Sequence, residues 1–173
     1  MGKKAVLFDR DGVINQSIVR NGKPFPPQTM AEFKWVEKVR ETLETLSSID
    51  YLLVIFTNQP DVGRGQQSLQ QVGIFHEHIK KTLPVAQIYT CFHDNKDQCE
   101  CRKPKPGMIF EAQNDWEIDL QQSFVVGDRW RDIDAGNEAG CQTIWLDYGY
   151  DEALRSQPDY TIKHLHQILD IIH

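Results

Sequence analysis

AVLFDRDG, residues 5–12, places four apolar residues directly before two acids and a glycine. A run that short, apolar at every position, reads as a strand covered on both faces. Gly12 then lets the chain turn sharply and bring backbone amides toward an anion. Similar runs recur at 51–56, 87–92, 123–126 and 143–146. Between them Val36, Val39, Leu43 and Leu46 repeat every three or four residues, as do Leu69, Val72, Phe75, Ile79 and Leu83, and more weakly Met108, Ile109 and Ala112. Alternating strands and helices predict an α/β fold: a three-layer, Rossmann-like parallel sheet with right-handed crossovers and helices on both faces.

With 173 residues, 40% of them hydrophobic, the chain can bury one sizeable core, so a single domain spanning residues 1–173 is expected. A formal charge of -6 lacks the basic excess of a phosphate-backbone binder, which argues against nucleic acid as a partner. MGKKAVLFDRDG lacks a signal-peptide pattern, no apolar run reaches membrane-spanning length, and Val6 stands where a myristoylation signal wants Ser or Thr. The expectation is a cytoplasmic monomer with no membrane partner. Segment 15–33, with Gly22, Pro24, Pro26, Pro27 and no period, is expected to be a loop over the site with Phe25 as a substrate wall. Residues 160–173 read as an edge strand and a short amphipathic helix through Leu165, Ile168, Leu169 and Ile172.

Ligands in open parallel sheets bind beyond the carboxyl ends of the strands. Asp9 follows the first run, Thr57 and Asn58 the second, and Gly127 and Asp128 the fourth, so these residues are expected at one edge. RKPKPG, residues 102–107, adds fixed cations. Paired carboxylates, hydroxyl and amide donors, a cation and further acids for Mg²⁺ are the parts that attack on a phosphate ester requires. A carboxylate bound to the metal stays anionic, whereas its neighbour near the departing oxygen could keep a proton, so Asp9 and Asp11 suit opposite tasks. Gln59 is a candidate to join Thr57 and Asn58, and Arg64 is a candidate substrate contact.

Cys91-Phe-His93, five residues, then Cys99-Glu-Cys101 offers three thiolates and one imidazole within eleven residues. That set suits tetrahedral Zn²⁺ with no vacant position, hence a structural zinc loop at 91–101 rather than a disulfide framework. Cys141 stands apart as a small apolar residue.

DRDG, TN, the lysine of RKPKPG and VGDR together resemble the haloacid dehalogenase superfamily over nearly the whole chain, in its D-x-D form shared by phosphatases and phosphomutases. The resemblance implies that Asp9 is the nucleophile, Asp11 the acid and base, and Lys103 the charge-shielding lysine with Lys105 as an auxiliary cation. It further implies Mg²⁺ held by the Asp9 side chain, the Asp11 main-chain carbonyl and Asp128, with Asp132 as support or helix start and Asp134 at the surface. C-x-H-x5-C-x-C-R-K-P beside DRDG is similar to the small branch of D,D-heptose 1,7-bisphosphate 7-phosphatases and histidinol-phosphate phosphatases, which lack a large cap domain. In that branch the arginine serves substrate recognition, a role that falls on Arg102, with Asn58 and Gln59 as further binding residues.

RKPKPGM and the NQ-x-x-x-x-RG pattern of 58–65 resemble the heptose enzymes, whereas the five-residue gap in the zinc loop resembles the histidinol enzymes, and GDR at 127–129 departs from the GDK of some heptose enzymes. The expected substrate is a small phosphorylated metabolite, with the heptose bisphosphate ahead of histidinol phosphate. A nucleic-acid 3′-phosphatase, needing a basic groove, and a non-catalytic zinc-dependent interaction module stand as rivals.

Overall fold

The structure, a computed structural model, describes residues 2–173. In chain order its elements are β1 (Ala5–Phe8), β2 (Ile18–Arg20), β3 (Lys23–Phe25), α1 (Val39–Ser48), β4 (Leu52–Asn58), α2 (Pro60–Gly63), α3 (Leu69–Thr82), β5 (Gln87–Cys91), α4 (Gly107–Trp116), β6 (Phe124–Gly127), α5 (Trp130–Ala139), β7 (Gln142–Leu146), β8 (Tyr160–Ile162) and a closing 3₁₀ helix (Leu165–Asp170). Six strands form one sheet in the order β5-β4-β1-β6-β7-β8, and each neighbouring pair is parallel. The first apolar run thus supplies a central strand, buried at every residue.

Strand pleating divides the core in two. Val6, Phe8, Leu53, Ile55, Val126, Ile144 and Leu146 pack with Leu43 and Leu46 of α1, Ile79 of α3, and Leu165 and Ile168. Ala5, Leu7, Val54, Phe56 and Val125 pack on the opposite face with Met108, Ile109 and Ala112 of α4 and Ala135 of α5. Helices on both faces explain why these strands show no polar alternation in sequence.

Strand β4 runs on through Thr57 and Asn58, which end it as the sequence reading has them. The structure departs from that reading in two places. Segment 15–33 is more than a loop: β2 and β3 pair antiparallel, with Arg20 opposite Lys23, across Asn21 (φ 50°) and Gly22 (φ 72°). Positive φ at both central residues is the two-residue hairpin turn that Asn-Gly favours, and Pro24 is tolerated because β3 has a partner on one side. The C-terminal helix is 3₁₀ rather than α, although it buries Leu165 and Ile168 as expected and half-buries Leu169, and Ile172 is buried just beyond its end.

Parallel strands of matched register end together. Phe8 pairs with Ile55 and Val126, and Asn58 with Cys91, so Asp9, Thr57, Asn58, Cys91 and Asp128 all emerge at the carboxyl edge. No helix among the described residues is long and apolar enough to cross a membrane.

Candidate active site

Asp9 follows β1 directly and is 7% exposed. Its Oδ1 accepts from Lys103 Nζ at 2.8 Å and from the Arg10 amide at 2.8 Å; Oδ2 has no protein donor among the described residues. Lys103, 3% exposed, also donates to the Phe56 carbonyl at 3.0 Å and pairs with Asp132 Oδ1 at 2.7 Å. Burial opposes the lysine's charge, but Asp132 and Asp9 outweigh it and hold the ammonium above the usual lysine range. Lys105 points elsewhere, to Glu100 at 2.7 Å on the surface, so the sequence's competitor is no auxiliary cation of this cleft.

Asp11 is more heavily bonded than the sequence suggests. Its oxygens accept from Arg10 Nε (3.1 Å) and Nη2 (2.9 and 3.1 Å), from Asn15 Nδ2 (2.9 Å) and from Gln59 Nε2 (2.7 Å). The same Gln59 amide group donates to Thr57 Oγ1 at 2.9 Å. Gln59 is 3% and Thr57 1% exposed, so Gln59 braces two site residues and Thr57 lies beneath the cleft rather than on its wall. Asn58 likewise turns its carboxamide on protein: it accepts from the Lys103 amide at 3.0 Å and donates to the Lys103 carbonyl at 3.1 Å. This reciprocal pair clamps β4 to the lysine segment, so the side chains of Asn58 and Gln59 are committed braces where the sequence suggested free donors.

The Cys91–Cys101 loop sits on the same edge. The Sγ atoms of Cys91, Cys99 and Cys101 lie 3.0 to 3.7 Å apart, and His93 Nδ1 is 3.6 Å from Cys91 and 3.3 Å from Cys101. The edge of a tetrahedron with 2.3 Å bonds is about 3.8 Å, so the four donors, somewhat closer together than that, are compatible with one tetrahedral ion. The loop then holds Arg102, whose Nε donates to Asn95 Oδ1 at 2.8 Å and Nη1 to the His93 carbonyl at 3.2 Å. Arg64 ties the loop down through Asp94 at 2.6 Å, which gives it a structural duty in place of the free substrate contact.

Asp128, 2% exposed, makes no hydrogen bond of normal geometry through either oxygen among the described residues, although the Tyr150 hydroxyl lies near enough to temper its charge. A buried carboxylate left so is costly unless a cation meets it. Asp9, Asp128 and Asp132 bring carboxylate oxygens within 4.8 Å of one another. Asp132 is already engaged by Lys103 and by the Arg129 amide (3.1 Å), which makes it a link from α5 to the lysine; Asp9 and Asp128 remain for a hard divalent ion. Gly12 (φ 94°) is required here, since a Cβ would lie 1.9 Å from Asp128 Oδ2. Asp134, read as a surface residue, is half-buried and accepts from Ser156.

Burial, then the charge of Asp132, pushes the Asp9 carboxyl up to about 7, with Lys103 pulling the other way. Burial and the charges of Asp9 and Asp132 raise Asp128 well above the carboxylate range. The folded, metal-free chain therefore retains protons that the unfolded chain has already released, and this group's contribution destabilises the fold as pH rises from 3.8 to about 7. Added Mg²⁺ is expected to raise Tm more at pH 8 than at pH 5, and this pH dependence is expected to weaken in Asp9→Asn, where Asp128 alone still titrates. An equal shift at both pH values in the wild type would refute the coupling.

A cleft of about 430 Å³ opens above these groups, bordered by Asp9, Asp11, Asn58, Lys103 and Asp128, and by the hairpin residues Lys23 and Phe25. Phe25 is 43% exposed and forms part of the cleft, where the sequence placed it. The sequence reading passed over Arg10, 0% exposed against Asp11, and the cleft residues Lys23 and Arg131. The D-x-D pattern reads only the acids and skips the residue between them; Lys23 was hidden in a segment without period.

A buried acid with one free oxygen, a lysine on the other and an orphaned acid beside it, at the carboxyl edge of a parallel sheet, define a phosphoryl-transfer site of the α/β class. The family model for HAD-hydrolase-like proteins matches residues 100–168. The chain is similar to D-glycero-beta-D-manno-heptose-1,7-bisphosphate 7-phosphatase of Haemophilus ducreyi, with 37% identity over 83% of this chain and 82% of that one. It is also similar to D-glycero-alpha-D-manno-heptose-1,7-bisphosphate 7-phosphatase of Photorhabdus laumondii, with 31% identity over 83% and 81%. Among solved structures, D,D-heptose 1,7-bisphosphate phosphatase from B. bronchiseptica, complexed with magnesium and phosphate, superposes with a TM-score of 0.79 at 25% identity over 97% of each chain. The chain belongs to the haloacid dehalogenase-like hydrolases and is a phosphoric monoester hydrolase among them.

Proposed function

We propose that this chain removes the 7-phosphate of D-glycero-D-manno-heptose 1,7-bisphosphate through an aspartyl-phosphate on Asp9. The observation that carries it is the pairing of Lys103 with Asp9 Oδ1 at 2.8 Å, which leaves Oδ2 for phosphorus. Asp9 forms the new O–P bond; the bond to the sugar oxygen breaks, and Asp11 gives that oxygen its proton. Asp11 then takes a proton from water as the water oxygen displaces Asp9, releasing inorganic phosphate. Lys103 stabilises charge on the phosphoryl oxygens, and Thr57, beneath the cleft, supports it from below through Gln59. Asp9, Asp128 and the main-chain carbonyl of Asp11 would hold Mg²⁺, which offsets phosphoryl charge as a Lewis acid when bound. Cys91, His93, Cys99 and Cys101 would hold Zn²⁺. Four free thiols suit a reducing compartment, and we assign the activity to a cytoplasmic monomer.

Charge at the mouth favours the heptose bisphosphate over histidinol phosphate. Among the described residues Arg102 is held only by the neutral oxygens of Asn95 and His93, and Lys23 is exposed on the hairpin. Arg131 lies over the Trp130 ring at 4.5 Å and pairs loosely with Glu152, at 3.9 Å, and burial with the charges of Arg129 and Arg102 holds its guanidinium below the usual range. Such cations attract a second phosphate and repel the ammonium of histidinol phosphate. With Mg²⁺ present, phosphate release is expected to be faster from the bisphosphate than from histidinol phosphate; the reverse order would defeat the assignment. The double variant Lys23→Ala, Arg131→Ala is expected to raise KM for the bisphosphate about tenfold, about 1.4 kcal/mol, and to leave KM for a sugar monophosphate within about twofold.

A further inference from the structure

We propose that Arg10, steadied by His76, is a positioning residue that fixes the carboxylate of Asp11 toward the cleft. The proposal rests on the reading of Asp9 and Asp11 as nucleophile and acid-base. Arg10 is the largest fully buried side chain of the protein, although it stands between two site acids on a turn. Its guanidinium grips Asp11 through Nε and Nη2, and its Nη1 lies 3.2 Å from His76 Nε2. Phe75, the residue before His76 on α3, places its ring 5.4 Å from the same guanidinium.

The chemistry of the contact assigns the roles. A guanidinium can only donate, so His76 Nε2 must accept, which requires a neutral imidazole. The site provides for this: burial first, then the Arg10 charge, lowers His76 to about 4. His76 therefore fixes the rotation of a planar fork, and the fork fixes the plane of a carboxylate. Asn15 and Gln59 bind that carboxylate from other directions, but each offers one donor where Arg10 offers two. Without Arg10 the Asp11 side chain, 16% exposed at the cleft, could rotate away from the departing oxygen. A reacting group displaced by about 1 Å loses roughly 10²-fold in rate.

Three variants test this with the full-length, metal-loaded protein. Arg10→Lys keeps the charge and loses the fork, and is expected to lower kcat by about 10- to 100-fold with KM within about threefold. His76→Leu removes the acceptor and should lower kcat by about 3- to 10-fold, whereas His76→Gln, which restores one, should recover most of that loss. Wild-type kcat in Arg10→Lys, or an equal deficit in folded His76→Leu and His76→Gln, would overturn the proposal. Asp9→Asn assayed beside them separates the two readings: if it retains turnover the mechanism itself fails, and if it is inactive while Arg10→Lys is normal only the positioning role fails.

Discussion

Asp9→Asn is expected to lower kcat by at least about 10⁴-fold while the metal-free protein melts at the same temperature or higher. Loss of a nucleophile from a concerted site commonly costs about 10⁴ to 10⁶ in kcat, because the remaining groups have nothing to act through. Asp9 is buried beside Asp128 and Asp132, and burial with Asp132 is what pushes its carboxyl up to about 7. A neutral amide of the same shape removes that repulsion at pH 8, and Lys103 keeps its pairing with Asp132. Melting curves recorded in chelator with steady-state kinetics in Mg²⁺ check both halves. A kcat within tenfold of wild type would remove Asp9 from the nucleophile's role.

Removing the ion from the Cys91, His93, Cys99 and Cys101 loop is expected to lower Tm by at least about 8 °C and to reduce kcat/KM together with it. Apparent binding energies of structural zinc reach about 10 kcal/mol, and a chain of this size shifts by roughly 2–4 °C per kcal/mol, so a net loss of only about 4 kcal/mol suffices. Activity follows because Arg102 is held by Asn95 and the His93 carbonyl, both within the loop. Cys101→Ser should reproduce the effect, with metal content read by elemental analysis. Unchanged melting after confirmed metal loss would mean that the loop is held by other contacts, such as Arg64 with Asp94.

Much of this architecture is legible in the sequence because burial on two faces writes itself as unbroken apolar runs, and parallel register turns run ends into a common edge. Asp9 and Asp128 could be placed there before any coordinates. Three features escaped for physical reasons. The hairpin strands β2 and β3 have three residues each, too few for a period, though Asn21-Gly22 carried the turn signal. Helix α5, with sequence WRDIDAGNEA, meets the core through small residues such as Ala135 and Gly136, so it lacks an apolar stripe. Arg10, Asn58 and Gln59 look like free polar residues in one dimension; only folding shows that their bonds are directed at Asp11, Thr57 and Lys103.

Above the carboxyl edge stands a ribbon of two three-residue strands, not a separate folded body that could swing shut. Enzymes that hand a phosphoryl group from one organic acceptor to another must keep solvent from the labile acyl phosphate, and that takes an enclosure. A ribbon of this size leaves the cleft open to solvent, and water is then expected to take the phosphoryl group ahead of a second alcohol.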